Sequence, residues 1–259
     1  MEINVNNYKT TLSDEDIRLL KKIKKYYEKF YGNLDPKTRS KELELRELGD
    51  YSFLGDEDLW LKLVTQFCVV GGARMIDNLK ANKKWEKFKT EISLNRLLSI
   101  AKDRQKYIAQ ILKKYKATRF YNKQAAKIDE LLNNPNVVKN GRIVLLNGLS
   151  HENDYAYIRN KLIKRTRYFK LKSASDFMIS VGLSHDVIAL DTRVIRILKE
   201  YFGLNINADK IQGNEKIHLS IENALRDACR KINFSLALLD RMLFKFSGES
   251  AISFILKYL

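Results

Sequence analysis

Apolar residues recur at every third or fourth position along most of this chain, the spacing that lines one face of an α-helix. Ser13 precedes such a stripe, formed by Ile17, Leu20, Ile23, Tyr27 and Phe30, with Asp14, Glu15 and Asp16 in its first turn. A capping serine followed by acids predicts a helix start. Asn33-Leu34-Asp35-Pro36 ends that helix, and a shorter charged helix is expected to about Leu48, where Gly49 stops it. From Asp56, the residues Leu59, Leu63, Phe67 and Val70 mark a second buried stripe, and Gly71-Gly72 is either a tight helix contact or a break. Charged amphipathic helices follow from about Trp85 to Lys116, with Arg119-Phe120-Tyr121-Asn122 between two of them.

Strand character arises in one place. Val137-Val138-Lys139 and Arg142-Ile143-Val144 flank Asn140-Gly141. Both central residues of a type I′ turn need positive φ, which Asn-Gly supplies, so a small β-hairpin is predicted here. Beyond it, Tyr155 to Arg167 is a strongly basic helix carrying Arg159, Lys161, Lys164, Arg165 and Arg167. Such a run usually marks a solvated face. Ala174, Phe177, Met178 and Val181 then share one helix face, with Gly182 as a left-handed cap. Asp191 opens the next helix, with Val194, Ile195, Leu198 and Phe202 inward and Gly203 as the stop; His185-Asp186 falls in the loop between the two.

Composition narrows the picture. A chain of 259 residues with 45% hydrophobic content can form one or two domains with a real core, and only two prolines and eleven glycines interrupt it. The formal charge of +17 points to a polyanionic partner, because each phosphate contact releases condensed counterions. Cys68 and Cys229 cannot build a metal cage alone, His151, His185 and His218 share no ligand spacing, and a reducing, cytoplasmic setting is expected. The first residues carry no apolar signal segment, and no run is long enough to span a bilayer.

The order helix, short turn, helix, loop, aspartate at a helix start, with Lys172-Ser173-Ala174 followed nineteen positions later by Asp191 in Leu190-Asp191-Thr192-Arg193-Val194, resembles the HhH-GPD superfamily of base-excision DNA glycosylases. Further segments resemble its archaeal-type 8-oxoguanine glycosylases in particular. Arg119 to Asn122 looks like the segment that leads an aromatic into their base pocket. The stretch from Cys229 to Phe246 looks like their C-terminal pocket helix, with Phe244 at a base-stacking position. Val64 to Leu79 looks like their early helix pair, with Gln66 near the loop that fills the gap left by a flipped nucleotide. The likeness covers roughly residues 56–250. It departs from the family at the hairpin, where Tyr168-Phe169-Lys170 replaces the usual glycines, and at the tail from Ser247 to Leu259.

The resemblance implies an all-α fold of two helical lobes with a helix-hairpin-helix motif near 156–182, an interlobe cleft and one small β-hairpin insertion. Residues 1–55 would form a helical extension and 56–259 the glycosylase core, with a middle lobe over 60–200 and a return to the N-terminal lobe over 201–259. It implies Lys172 as nucleophile and Asp191 as the carboxylate that stabilises positive charge on the sugar. Phe120 and Phe244 would sandwich the flipped base. Gln66, Arg119, Arg167, Tyr168, Lys170 and Arg193 would contact DNA. Desolvation and neighbouring cations favour a neutral, nucleophilic amine. Each residue also has an ordinary role open to it: Asp191 as a helix cap, Lys172 as a solvated lysine, the two phenylalanines as core. No metal or cofactor is required, and the partner is DNA, double-stranded with a flipped nucleotide, bound by a monomer. The leading expectation is a glycosylase/lyase acting on 8-oxoguanine. The alternatives are excision of a hypermodified base from foreign DNA in antiviral defence, and a catalytically inactive DNA-binding module.

Overall fold

The computed structural model describes residues 12–69, 74–204 and 207–246; Val70, Gly71-Gly72 and the tail from Ser247 lie outside the described residues. Helix α1 spans Asp14–Phe30. Its N-terminus is closed reciprocally: Ser13 Oγ accepts from Asp16 N at 3.3 Å, and Asp16 Oδ2 accepts from Ser13 N at 2.7 Å. Helix α2 spans Pro36–Leu43, capped by Asp35, whose Oδ1 accepts from Thr38 N at 3.0 Å. It ends at Leu43 and not near Leu48, because Glu44 adopts a left-handed φ of 50° and Leu43 and Leu45 both turn inward, a spacing of two that a helix cannot bury on one face.

Helices α3 (Asp56–Cys68), α4 (Arg74–Lys80), α5 (Lys84–Glu91), α6 (Leu94–Leu98), α7 (Arg104–Lys114) and α8 (Tyr121–Leu132) follow. Strands β1 (Val138–Lys139) and β2 (Arg142–Ile143) pair antiparallel, Val138 opposite Ile143 and Lys139 opposite Arg142. Asn140 and Gly141 take φ of 52° and 76°, as a type I′ turn requires. Asp56 at the start of α3 holds the hairpin, accepting from Ile143 N at 3.0 Å. The chain continues through α9 (Tyr155–Thr166), α10 (Leu171–Val181), α11 (Thr192–Tyr201), α12 (Ala208–Gly213), α13 (Glu215–Lys231) and α14 (Leu236–Lys245). The stretch from Cys229 to Phe246 is therefore two helices: Asn233 takes φ 49°, and Ser235 caps α14 by accepting from Leu238 N at 3.3 Å. The fold is all-α with one two-stranded sheet among the described residues.

The chain divides into two compact units. Among the described residues, the first takes those up to Tyr51, His151–Arg159 and those from Lys170 onward; the second takes 52–150 and 160–169. In the second unit, Trp60, Leu63, Phe88, Leu97, Ile108, Leu112 and Ile128 are fully buried, and Trp60 Nε1 donates to Ile92 O at 2.9 Å. The first unit buries Leu20, Phe177, Met178, Leu198, Leu239 and Leu243, with α14 packed against α1, α2, α11 and α13. Gly182 ends α10 at φ 80°, and a Cβ there would stand 2.1 Å from Glu47 O, while Gly49 N donates to Gly182 O at 2.9 Å. Only glycine satisfies both the backbone angle and the approach.

Candidate active site

Lys172 sits in the first turn of α10, half-buried, on the edge of a helix whose inner face is Ala174, Phe177, Met178 and Val181. Its Nζ lies 3.6 Å from Asp176 Oδ2, one turn on. The start of a helix carries partial positive charge, and Asp176 supplies the counter-charge beside it. Asp176 is itself held: Arg241 Nη1 of α14 is 2.8 Å from its Oδ1. The same nitrogen lies 3.3 Å from Asp240 Oδ2.

Asp191 is the N-cap of α11. Its Oδ1 accepts from Arg193 N at 2.9 Å and Val194 N at 2.8 Å, satisfying two amides that have no partner inside the helix. The loop ahead of it is pinned from two sides. Glu222 Oε1 accepts from Ile188 N at 3.3 Å, and Asp240 Oδ1 accepts from Ala189 N at 2.8 Å. Asp191 N in turn donates to Ala189 O at 2.6 Å. Burial is the main cause that lifts the Asp240 carboxyl to about 7, against the opposing pull of Arg241; the charges of Asp176 and Asp191 add to the rise. Burial likewise raises the Glu222 carboxyl, with Arg159 and Arg226 pulling it down.

Arg193 joins Asp191 to Phe244. Its Nε lies 3.2 Å from Asp191 Oδ2, and its guanidinium carbon stands 3.6 Å from the centroid of the Phe244 ring. That is a stacked cation–π contact, and it covers a face of the half-buried ring. Lys170, exposed, precedes α10, and its backbone N donates to Ser173 Oγ at 3.3 Å. Thus Lys172, Asp191, Arg193, Phe244 and Lys170 all belong to the first unit.

The remaining expected residues belong to the second unit. Phe120 occupies the N-cap position of α8 and is 47% exposed, an unusual setting for a large apolar ring. Arg119 beside it is exposed. Gln66 is buried on the inner side of α3. Arg167 follows α9 in the left-handed conformation, φ 62°, a backbone angle glycine adopts more readily than any other residue. Tyr168 hydrogen-bonds Glu130 through its hydroxyl, carries Lys127 over its ring at 5.1 Å, and meets Phe67 edge-on. Among the described residues no three His, Cys, Asp or Glu side chains converge as a metal site, and no helix is long and apolar enough to cross a membrane.

Sequence reasoning did not single out Asp176, Asp240, Arg241 or Glu222, and it placed Arg159 on a solvated basic face. Arg159 is buried at 1% exposure, its Nη1 donating to both Glu222 carboxylate oxygens at 2.7 and 3.0 Å. Two signals pointed to part of this set: the i, i+4 spacing of Lys172 and Asp176, and an Asp-Arg pair inside the otherwise apolar run Leu236 to Leu243. The partnership of Arg159 with Glu222, 63 residues away, leaves no local trace.

Residues 46–234 match the 8-oxoguanine DNA glycosylase family. No curated protein sequence matches the chain. Two solved structures from Methanocaldococcus jannaschii share its fold. An 8-oxoguanine glycosylase/lyase in complex with a 15mer DNA containing 8-oxoguanine aligns at TM-score 0.66 and 19% identity, over 90% of this chain and 98% of that one. An 8-oxoguanine DNA glycosylase aligns at TM-score 0.66 and 19% identity, over 91% and 96%.

Proposed function

The chain belongs to the 8-oxoguanine DNA glycosylase family, and from that premise we propose that it removes 8-oxoguanine from duplex DNA through Lys172 and Asp191, with strand-cleaving lyase activity. What supports this reading is that one unit holds a lysine in the first turn of α10, a carboxylate opening α11 and an aromatic ring, Phe244, that Arg193 links to that carboxylate. Chemistry on a base inside a duplex requires the nucleotide to be flipped out and stacked. In this reading the flipped base takes the place the Arg193 guanidinium holds over Phe244. As the base departs with the bonding electrons, positive charge grows on the sugar, and the Asp191 carboxylate stabilises it. The Lys172 amine attacks the anomeric carbon. Ring opening and loss of a proton give a Schiff base, from which β-elimination expels the 3′ phosphate. Arg119, Arg167, Tyr168, Lys170 and Gln66 serve the surrounding strand, and the protein acts as a monomer.

The test incubates the protein with labelled duplexes that each carry one modified base, including 8-oxoguanine and glucosylated hydroxymethylcytosine, in the presence of borohydride. A covalent protein–DNA adduct on the 8-oxoguanine duplex is expected, absent in Lys172→Ala and at least about 100-fold slower in Asp191→Asn, in line with loss of a transition-state charge partner. An adduct on another base alone keeps the mechanism and replaces the substrate. An adduct that persists in Lys172→Ala overturns the assignment.

A further inference from the structure

Two charged bridges run through the interior of the first unit, and both join the same two segments. The first starts at Ser175 on α10, whose Oγ lies 3.1 Å from Arg159 Nη1. Arg159 Nη1 donates to both Glu222 oxygens, and Glu222 accepts from Ile188 N. The second starts one residue later, at Asp176, passes to Arg241 at 2.8 Å and Asp240 at 3.3 Å, and reaches Ala189 N. Each has the order α10 side chain, guanidinium, carboxylate, loop amide. Neighbours on α10, Ser175 and Asp176, are tied to neighbours in the loop, Ile188 and Ala189. The guanidinium and carboxylate side chains are 2% and 0% exposed in the first bridge, and 7% and 2% in the second.

Burying ions in this way carries a large desolvation cost before their attraction is counted, and apolar residues of similar volume often stabilise a fold as well or better. Stability alone does not account for two such bridges in parallel. What hydrogen-bonded ion pairs add over apolar packing is direction, because each bridge is centred on one guanidinium nitrogen, Nη1, whose donors have set distances and angles to the groups on either side. The segments so fixed are those bearing Lys172 and Asp191. The second bridge touches both: Asp176 Oδ2 faces Lys172 Nζ, and Asp240 holds Ala189, whose carbonyl accepts the Asp191 amide.

We propose that Asp176, Arg241 and Asp240 are positioning residues that set the Lys172 amine against the Asp191 carboxylate, with the Arg159–Glu222 pair as a parallel brace. The inference rests on the roles given above to Lys172 and Asp191. A displacement of a reacting group by about 1 Å can cost on the order of 100-fold in rate, so the bridge acts on the chemical step and leaves DNA binding to surfaces elsewhere.

The experiment uses the full chain and the variants Asp176→Asn, Asp240→Asn, Arg241→Lys and Arg241→Met, each checked by circular dichroism to be folded at the assay temperature. Single-turnover base release and duplex affinity are measured on the substrate that gives the wild-type adduct. Amide hydrogen exchange is followed over 186–191. Base release is expected to fall at least about tenfold in Asp176→Asn, Asp240→Asn and Arg241→Met, with affinity held within about threefold. Arg241→Lys, which keeps the charge without the planar guanidinium, should recover part of the rate. Exchange at Ala189 should rise by about tenfold in a further variant, Asp240→Leu, which removes the acceptor of that buried amide. Rates within about twofold of wild type in all four variants, or unchanged exchange in the loop, overturn the proposal. A wild-type protein that forms no adduct overturns the nucleophile assignment instead, and the exchange measurement then decides whether the bridge holds the loop.

Discussion

The two units fill their interiors differently. Among the described residues, the buried acidic and guanidinium side chains, Asp16, Arg159, Glu222, Arg226, Asp240 and Arg241, all belong to the first unit. The second unit buries polar groups too, but they are neutral: Gln66, Thr118, Gln124, Asn134 and Thr166. Its core is a packing problem, solved with Trp60, Leu63, Phe88 and Ile128, in which contacts are non-directional and roughly additive in area. The first unit adds an orientation problem, because the lysine and the carboxylate proposed for chemistry enter on separate segments. Charge pairs address orientation at a cost in desolvation that apolar packing avoids. The contrast teaches where in this molecule geometry, more than stability, is under control.

The largest effect expected is at Glu222, which is 0% exposed and faces both Arg159 and Arg226. Replacing it by alanine leaves Arg159 buried without its counter-charge and Arg226 with only the Asp186 carboxylate at 3.9 Å, so Glu222→Ala should cost about 3–5 kcal/mol in urea unfolding. Replacing Arg159, Glu222 and Arg226 together by Met, Leu and Met should return much of that loss while leaving the loop at Ile188 less constrained. If Glu222→Ala costs under about 1 kcal/mol, the pairing is not holding the interior and the contrast between the units collapses.

A smaller effect sharpens the contrast through pH. Burial first, and the Arg159 charge second, depress His218 to about 3 from its usual 6.5. The imidazole is therefore neutral in the fold, while the unfolded chain takes up its proton near 6.5. Its contribution to stability is complete above that pH and declines as pH falls from 6.5 toward 3, by at most about 1.4 kcal/mol per unit. In His218→Leu that part of the acid slope should vanish when unfolding free energies are compared between pH 6 and pH 4. An identical slope in both proteins would mean that His218 is protonated in the fold.

The smallest effect has the opposite sign and lies in the second unit. Gln124 is 1% exposed, and neither its Oε1 nor its Nε2 has a hydrogen-bond partner among the described residues. Gln124→Met keeps the length and removes two unsatisfied polar atoms, so a gain of about 1 kcal/mol is expected, seen as a melting temperature about 2–4 °C higher. A fall in melting temperature would show that the amide is satisfied by a buried partner, and that the second unit also depends on directed polar contacts.

The parts of the fold that were legible in the sequence are those encoded within a few residues. The Ser13 cap, the Asn140-Gly141 hairpin, the Gly182 stop and the Asp191 start each rest on one turn of chain. The end of α2 was not legible, because it depends on Leu43 and Leu45 both finding the core. Nor was the buried state of Arg159, since a basic run reads as a solvated face until Glu222 is brought to it from 63 residues away. At the site, the positions of Lys172 and Asp191 at helix starts followed from the sequence. The Arg193 stack on Phe244 did not, although both residues had been named for other roles.

The indole of Trp60, sealed in the core of the second unit with its nitrogen on Ile92 O, has an optical consequence. The chain holds two tryptophans, and Trp85, stacked on Phe88, belongs to the same unit. Tryptophan emission is thus a beacon on one unit only, dark to the ion pairs of the other. The Glu222→Ala transition has to be followed in the far ultraviolet, and a fluorescence trace recorded beside it reports whether the second unit melts at the same urea concentration or on its own.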